Sequence, residues 1–188
     1  MNALDLITKA RVELFDEIIG VDDSDELWSN TTLLRYVNEA QKEFARLTRC
    51  FPDTETISLV IGTNVYDYNE RTISIYGGYL ETSNRRVWPT SLADLEKRWI
   101  MEDPSIETEG TWENDNGIPR FIITDKYLNS LQLWPNPTRA ESLILYKYRY
   151  PEELTTLTAE LEIPTQYQDG LLFKIKGLAL GKMDSDSN

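Results

Sequence analysis

The chain has 188 residues, room for one domain or for one domain with a helical extension. Hydrophobic residues make up 40% of it, with five Trp, ten Tyr and five Phe, and charged residues 27%, a balance that builds a core and argues against disorder. A formal net charge of -13 repels phosphate backbones, which argues against sequence-reading of nucleic acid. The absence of His removes Ser-His-Asp and Cys-His catalysis and the usual zinc sites, and the single Cys50 cannot form an internal disulfide.

The opening residues MNALDLITKARVELFDE carry six charges, Asp5, Lys9, Arg11, Glu13, Asp16 and Glu17, and so read as neither signal peptide nor membrane span. No apolar run elsewhere reaches the roughly 18 residues a spanning helix needs. The expectation is a soluble protein made in a cytoplasm. Ala3, Ile7, Ala10, Leu14 and Ile18 form one stripe of an amphipathic helix that Gly20 stops, with VDDSDE as a polar loop. A second helix begins after Trp28, capped by Ser29 or Asn30. Its seam is Leu33, Val37, Ala40, Phe44, Leu47 and Phe51, and Pro52 closes it. Two helices with facing stripes make an antiparallel hairpin. Cys50 reads as a buried small hydrophobe.

From Thr54 the period changes to two. Residues 56–61, 65–68, 72–80 and 85–89 read as strands, and SLADLEKRWI (91–100) as a short helix capped by Ser91 with Leu92, Leu95 and Trp99 on one side. Residues 101–117 are rich in carboxylates, contain no Lys or Arg, and read as a solvated acidic loop. Strands follow at 119–125, 127–135 and 142–150. In the last, Ile144, Tyr146, Tyr148 and Tyr150 point to one face and Leu143 and Leu145 to the other, so both faces are covered. Pro135 and Pro137 lock a turn between the last two strands, making Leu131–Tyr150 a rigid hairpin. The final helix, 163–182, is apolar around most of its circumference and holds Gly170, Gly177 and Gly181, each costing roughly 1 kcal/mol against Ala. Such a helix is either buried in its own fold or clasped by neighbours.

The pattern is α+β: an N-terminal antiparallel helix hairpin and a C-terminal helix packed with an antiparallel β-sandwich or barrel-like domain. The segments are 1–52 (hairpin), 53–151 (β-rich, with the short helix 91–100) and 152–188 (C-terminal helix and tail), within one compact domain. Nucleotide-binding glycine motifs are absent. WENDNG does not fit a calcium loop, whose first and twelfth positions need carboxylates, and Asp22-Asp23-Ser24-Asp25-Glu26 lacks the glycine at the turn. Two acids beside an exposed Trp would suffice for a glycosidase, but core packing is the simpler account of Trp28, Trp88, Trp99, Trp112 and Trp134.

LWSNTTLLRYVNEAQKEFARLT (27–48) resembles the second helix of tailed-phage head–tail connector proteins, also called adaptor or neck proteins. There a Trp-Ser-acid start leads into Leu-Leu-Arg-Tyr-x-Asn-Glu-Ala-Gln. Four further runs are similar to the same family, in the same order: Gly117-Ile118-Pro119-Arg120-Phe121, Leu131 to Pro137, Tyr148-Arg149-Tyr150-Pro151, and Ile163-Pro164-Thr165-Gln166-Tyr167. The chain departs from the pattern at Thr32, where the family often has a Glu, and in a last helix that gives way to DSDSN.

The resemblance implies a structural virion protein that catalyses nothing and needs no cofactor or metal. It would form a homo-oligomeric ring, commonly twelvefold, under the portal protein. The ring would extend the DNA channel and dock the downstream tail or nozzle protein. Genomic double-stranded DNA would pass through the lumen without sequence-specific binding, and no membrane is involved. Its place is the virion neck, between capsid portal and tail, after assembly in the host cytoplasm. A ring subunit needs two complementary lateral faces. The residues expected at a subunit or portal interface are Leu171, Phe173, Ile175, Leu178 and Leu180 on the last helix, with Trp134, Tyr146 and Tyr148 on the strands. Truncation after Pro164 should then leave a folded monomer that cannot enter the connector. An acidic lumen, lined by polar positions of the second helix or by the acidic loop, would let DNA slide. The competing class is a stand-alone carbohydrate-binding or glycoside-hydrolysing β-domain, which requires a pocket where a Trp and two carboxylates converge.

Overall fold

In the computed structural model, which describes residues 1–14, 27–102 and 111–186, the chain divides into two units. One is built from residues 1–49 and 150–188, the other from 50–149.

The first unit holds α1 (Ala3–Leu14) and α2 (Asn30–Thr48). Asn2 and Asp5 close the first turn of α1 reciprocally: the Asp5 amide donates to Asn2 Oδ1 (2.8 Å) and the Asn2 amide to Asp5 Oδ2 (3.1 Å). The Ala3 and Leu4 amides, left free by helix geometry, donate instead to the carbonyls of Ala159 and Leu157. Ser29 caps α2, its hydroxyl accepting from the Thr32 amide (3.2 Å) and meeting the Thr32 hydroxyl at 2.9 Å. Arg49, in the left-handed region (φ 51°), ends the helix by donating its amide to the Ala45 carbonyl.

Leu33, Val37 and Ala40 are buried as the spacing requires. The seam does not continue: Gln41 and Ala45 turn inward and Leu47 is 70% exposed. A straight helix drifts about 20° per heptad from a 3.5 repeat, and the second half of α2 packs on the C-terminal helix and on the turn before it, where Phe44 meets Tyr167 at 5.7 Å. Ile18, Gly20 and the loop at 21–26 lie outside the described residues. Two polar residues tie the unit together. Arg11, buried on α1, donates to the Trp28 carbonyl (2.7 Å) and Asn30 Oδ1 (3.0 Å). Asn38 both donates to and accepts from the Leu154 backbone, at 2.9 and 2.8 Å. The Trp and Asn of the connector-like stretch therefore have structural jobs.

The second unit contains β1 (Pro52–Leu59), β2 (Val65–Asp67), β3 (Thr72–Leu80), β4 (Arg85–Thr90), α3 (Leu92–Glu102), β5 (Asn116–Gly117), β6 (Phe121–Tyr127), β7 (Ser130–Trp134), β8 (Asn136–Pro137) and β9 (Glu141–Arg149). Seven strands form a nearly closed sheet in the order β1-β9-β3-β4-β6-β7-β2, and β5 pairs with β8 apart from it. Its inner face is packed with Leu80, Val87, Ile122, Leu133, Leu143 and Leu145, none more than 1% exposed. Gly78 is needed there, since a Cβ would lie 2.9 Å from Leu143 Cδ1 and 3.1 Å from Ile122 Cδ1.

Three strand expectations are corrected. The sheet is mixed, not antiparallel throughout, because β4 and β6 run parallel. The connection from Ser91 to Arg120, with α3 in it, supplies the crossover that parallel neighbours require. Residues 131–150 are not a hairpin: β7 pairs with β6 and β2, β9 with β1 and β3. The Pro135–Pro137 link, with a cis Trp134–Pro135 peptide, carries the chain across the sheet instead. Strand β1 begins at Pro52 and stops before Val60 and Ile61, which are exposed, and Phe51 belongs with Arg149 of the β unit at 5.6 Å. Cys50 is half-buried.

Helix α3 starts as expected, with Ser91 Oγ accepting from the Asp94 amide (3.0 Å) and the Asp125 carboxylate from the Leu92 amide (2.9 Å). The acidic loop is only partly a loop. Residues 103–110 lie outside the described residues, but Thr111–Asn114 is a 3-10 turn whose Trp112 is buried against Leu95 and Ile123.

Glu141 joins β9 to the β3–β4 turn. Its carboxylate accepts from the Ser83 hydroxyl (2.6 Å), the Ser83 amide (2.8 Å) and Arg139 Nε (3.2 Å). Burial raises its pKa, but the Ser83 bonds and the Arg139 guanidinium outweigh it, so the net shift is downward from 4.5. A depressed folded pKa gives stability that is present above about pH 4.5 and lost as pH falls through the lower folded value. Glu141→Gln is expected to cost about 2 kcal/mol in urea unfolding at pH 7, and the gap to the parent should close as pH falls through the lowered folded value. An equal deficit above and below that value would show that ionisation is not the cause.

Candidate interaction surfaces

The C-terminal helix, α4 (Gln168–Asp186), follows a 3-10 turn at Thr165–Tyr167. At 100° per residue its apolar side chains fall on two opposite faces. Gln168, Leu171, Leu172, Ile175 and Ala179 point into the helical unit and are buried. Gly170, Phe173, Gly177, Leu180 and Gly181 share about a third of the circumference on the far side. There Phe173 is 72% and Leu180 50% exposed, and a Cβ on any of the three glycines would meet nothing within 4 Å. Ion pairs border this face, Lys174 with Glu43 and Lys176 with Glu13, both at 2.6 Å. The hydrogen bond from Lys174 lowers the Glu43 pKa.

The helix is therefore both buried and available. Leu171 and Ile175 fill their own protomer, Leu178 is half-buried at the boundary, and Phe173 and Leu180 are free for contact. Truncation after Pro164 would strip the buried face as well, so the expected folded monomer does not follow from such a cut.

The outer face of the β unit carries the other expected residues. Tyr146 and Tyr148, opposite in parity to Leu143 and Leu145, are half-buried under Tyr76, whose ring lies 6.0 Å from the first and 4.8 Å from the second. Beside this shelf Gly77 leaves a groove of about 290 Å3, also lined by Arg86, Trp88 and Tyr146. It shares Arg86 and Trp88 with a groove of about 500 Å3 lined in addition by Arg85, Arg120 and Phe121. Trp134 does not join them. Its indole N–H donates to the Trp112 carbonyl (2.9 Å) and its ring stacks on Phe121 at 5.7 Å, which fixes it within its own unit.

Of the tryptophans assigned to core packing, Trp28 and Trp112 are buried, but Trp88 is 54% exposed. The signal was present in RRVWP: Arg86 and Trp88 alternate with inward Val87 and so face outward together. The Trp99 side chain lies outside the described residues.

Neither groove contains a carboxylate, so neither offers the acid pair that sugar cleavage needs. Among the described residues no helix is long and apolar enough to cross a membrane. What these surfaces can do is dock protein: Tyr, Trp, Phe and Arg are the residues enriched at interface cores. No curated protein matches the chain. The family model described as SU10 adaptor protein matches residues 1–187, nearly the whole length, and the chain belongs to that family of bacteriophage head–tail adaptors.

Proposed function

We propose that the protein is the subunit of a homo-oligomeric ring, twelvefold as in the connectors it resembles, seated under the portal in the virion neck. The ring extends the DNA channel and docks the next tail component. The role needs no cofactor and no catalytic residue. One observation carries the reading: three helix glycines that the protomer's own packing does not require share a face of α4 with exposed Phe173 and Leu180. Small residues let a second helix approach closely, and the two large ones supply the apolar contact that offsets their cost. A neighbouring subunit or the portal covers this face. Tyr146 and Tyr148 contribute a second surface on the β unit. A lumen in which Asp and Glu outnumber Lys and Arg fits the net charge of -13 and would keep passing duplex from sticking.

The test is co-purification of the full chain with the portal protein of its phage. The parent chain should enter a ring-sized complex. Phe173→Glu/Leu180→Glu, which alters exposed side chains only, should keep the parent's thermal stability and lose the complex. A double variant that still assembles would remove the reading. A glycoside-hydrolysing domain has no comparable support, since neither groove contains a carboxylate.

A further inference from the structure

In a chain with 32 acidic and 19 basic residues, the groove between β4 and β6 is lined by three arginines and not one carboxylate. Arg85, Arg86 and Arg120 are exposed, and among the described residues none of them pairs with an acid. Four other basic side chains of the β unit behave differently: Lys126 is held by Glu113, Arg139 and Lys147 by Glu141 and Glu55, and Arg149 lies beside Asp53. The cluster is therefore a local inversion of the molecule's charge. It is continuous with an aromatic groove, since Arg86 and Trp88 line both.

A ligand for such a surface carries several negative charges and one apolar anchor. Nucleic acid supplies the charges, but it must approach a molecule of net charge -13. An acidic peptide meets no such barrier in its own composition, and Arg with Trp and Tyr is the side-chain set of protein interfaces. The sequence itself contains a fitting peptide. Residues 102–109, EDPSIETE, carry Glu102, Asp103, Glu107 and Glu109, no Lys or Arg, and Ile106 between the acid pairs. Pro104 removes one backbone donor, as any proline does.

We propose that the Arg85–Arg86–Arg120 groove receives the acidic 102–109 segment of a second copy of this chain, with guanidinium groups on the carboxylates and Ile106 against Trp88. Donor and acceptor are different patches of one subunit, so the contact runs head to tail and closes by rotation. To that extent it rests on the ring reading above, and it adds the residues of a lateral joint.

A fluorescein-labelled peptide of residues 101–110 is titrated into the full chain, followed by anisotropy at low salt. Four proteins are compared: the parent, Arg86→Glu/Arg120→Glu, Trp88→Ala, and a chain with Glu102, Asp103, Glu107 and Glu109 changed to Gln. The parent and the Gln chain should bind, Arg86→Glu/Arg120→Glu about tenfold or more weakly, and a peptide with the same four acids as Gln not at all. Binding should also weaken as salt shortens the screening length. No binding by either chain overturns the proposal. Binding by the Gln chain alone, with a parent that light scattering shows to be monomeric, also overturns it, because the groove is then filled by the segment of its own chain; the same result with a parent that self-associates and a Gln chain that does not supports it. A short single-stranded or duplex DNA that binds through the same arginines, where the peptide does not, would reassign the groove to nucleic acid. Portal co-purification is read separately, so a failed peptide leaves the ring reading standing or falling on its own test.

Discussion

A Gly177→Leu chain is expected to fold at least as firmly as the parent and to be unable to assemble. In a protomer by itself the substitution should be favourable. A Cβ at 177 meets no atom within 4 Å, and Leu is the better helix former by roughly 0.5–1 kcal/mol. A second helix lying against the Gly170, Gly177 and Gly181 side of α4 reverses the sign. The added side chain then occupies the space of the approaching backbone, and overpacking of that kind costs about 1–3 kcal/mol at each joint. At about 2 kcal/mol one joint weakens roughly thirtyfold, and a closed ring repeats the penalty at every subunit. Urea unfolding of the lone chain and entry into the portal complex separate the two effects. A variant that is both stabilised and fully assembly-competent would mean that nothing packs on that face. Gly177→Ala should fall between, with most of the helix gain and a smaller loss of assembly.

The apolar periodicity of α4 was legible in the sequence, but its division was not. A helix with hydrophobic residues all round looks the same whether one face or both are used, and only the packing of Leu171 and Ile175 against α1 and α2 leaves Phe173 and Leu180 over. Strand identity was legible in the same way. The alternation of Leu143 and Leu145 with Tyr146 and Tyr148 gives β9 its two faces whatever its neighbours. Pairing was not, because sequence adjacency suggests a hairpin across Pro135 and Pro137, whereas register and neighbours depend on contacts distant in the chain. Trp112 illustrates a third limit. It stands in an acidic run that by composition is a solvated loop, yet one large ring filling the space between Leu95 and Ile123 decides where the run's end is held. Arg86 and Trp88 could have been placed outward from Val87, but that Arg120 meets them follows only from the parallel β4–β6 register, Trp88 opposite Phe121.

Removal and isolation of the buried charge on Lys147 in the β unit should differ sharply. Lys147 extends the inward row of Leu143 and Leu145 on β9 and is 3% exposed, with Glu55 Oε2 at 2.6 Å and Asp53 Oδ2 at 3.9 Å. Glu55 also accepts from the Asn69 amide at 3.2 Å, so it retains a partner and some water contact without the lysine. Glu55→Gln leaves the ammonium buried with only the more distant Asp53, and uncompensated buried charge of this type costs about 3–5 kcal/mol. Lys147→Met keeps the aliphatic stem that packs at the end of the barrel and deletes the charge, so it should cost about 1 kcal/mol or less. Combining them is the decisive arm. If the large loss comes from a stranded ammonium, the double variant Glu55→Gln/Lys147→Met should be more stable than Glu55→Gln alone, by about 2 kcal/mol or more in urea unfolding. Additive losses would instead mean that Glu55 acts mainly through the Asn69 turn, and that the ion pair is incidental to the fold.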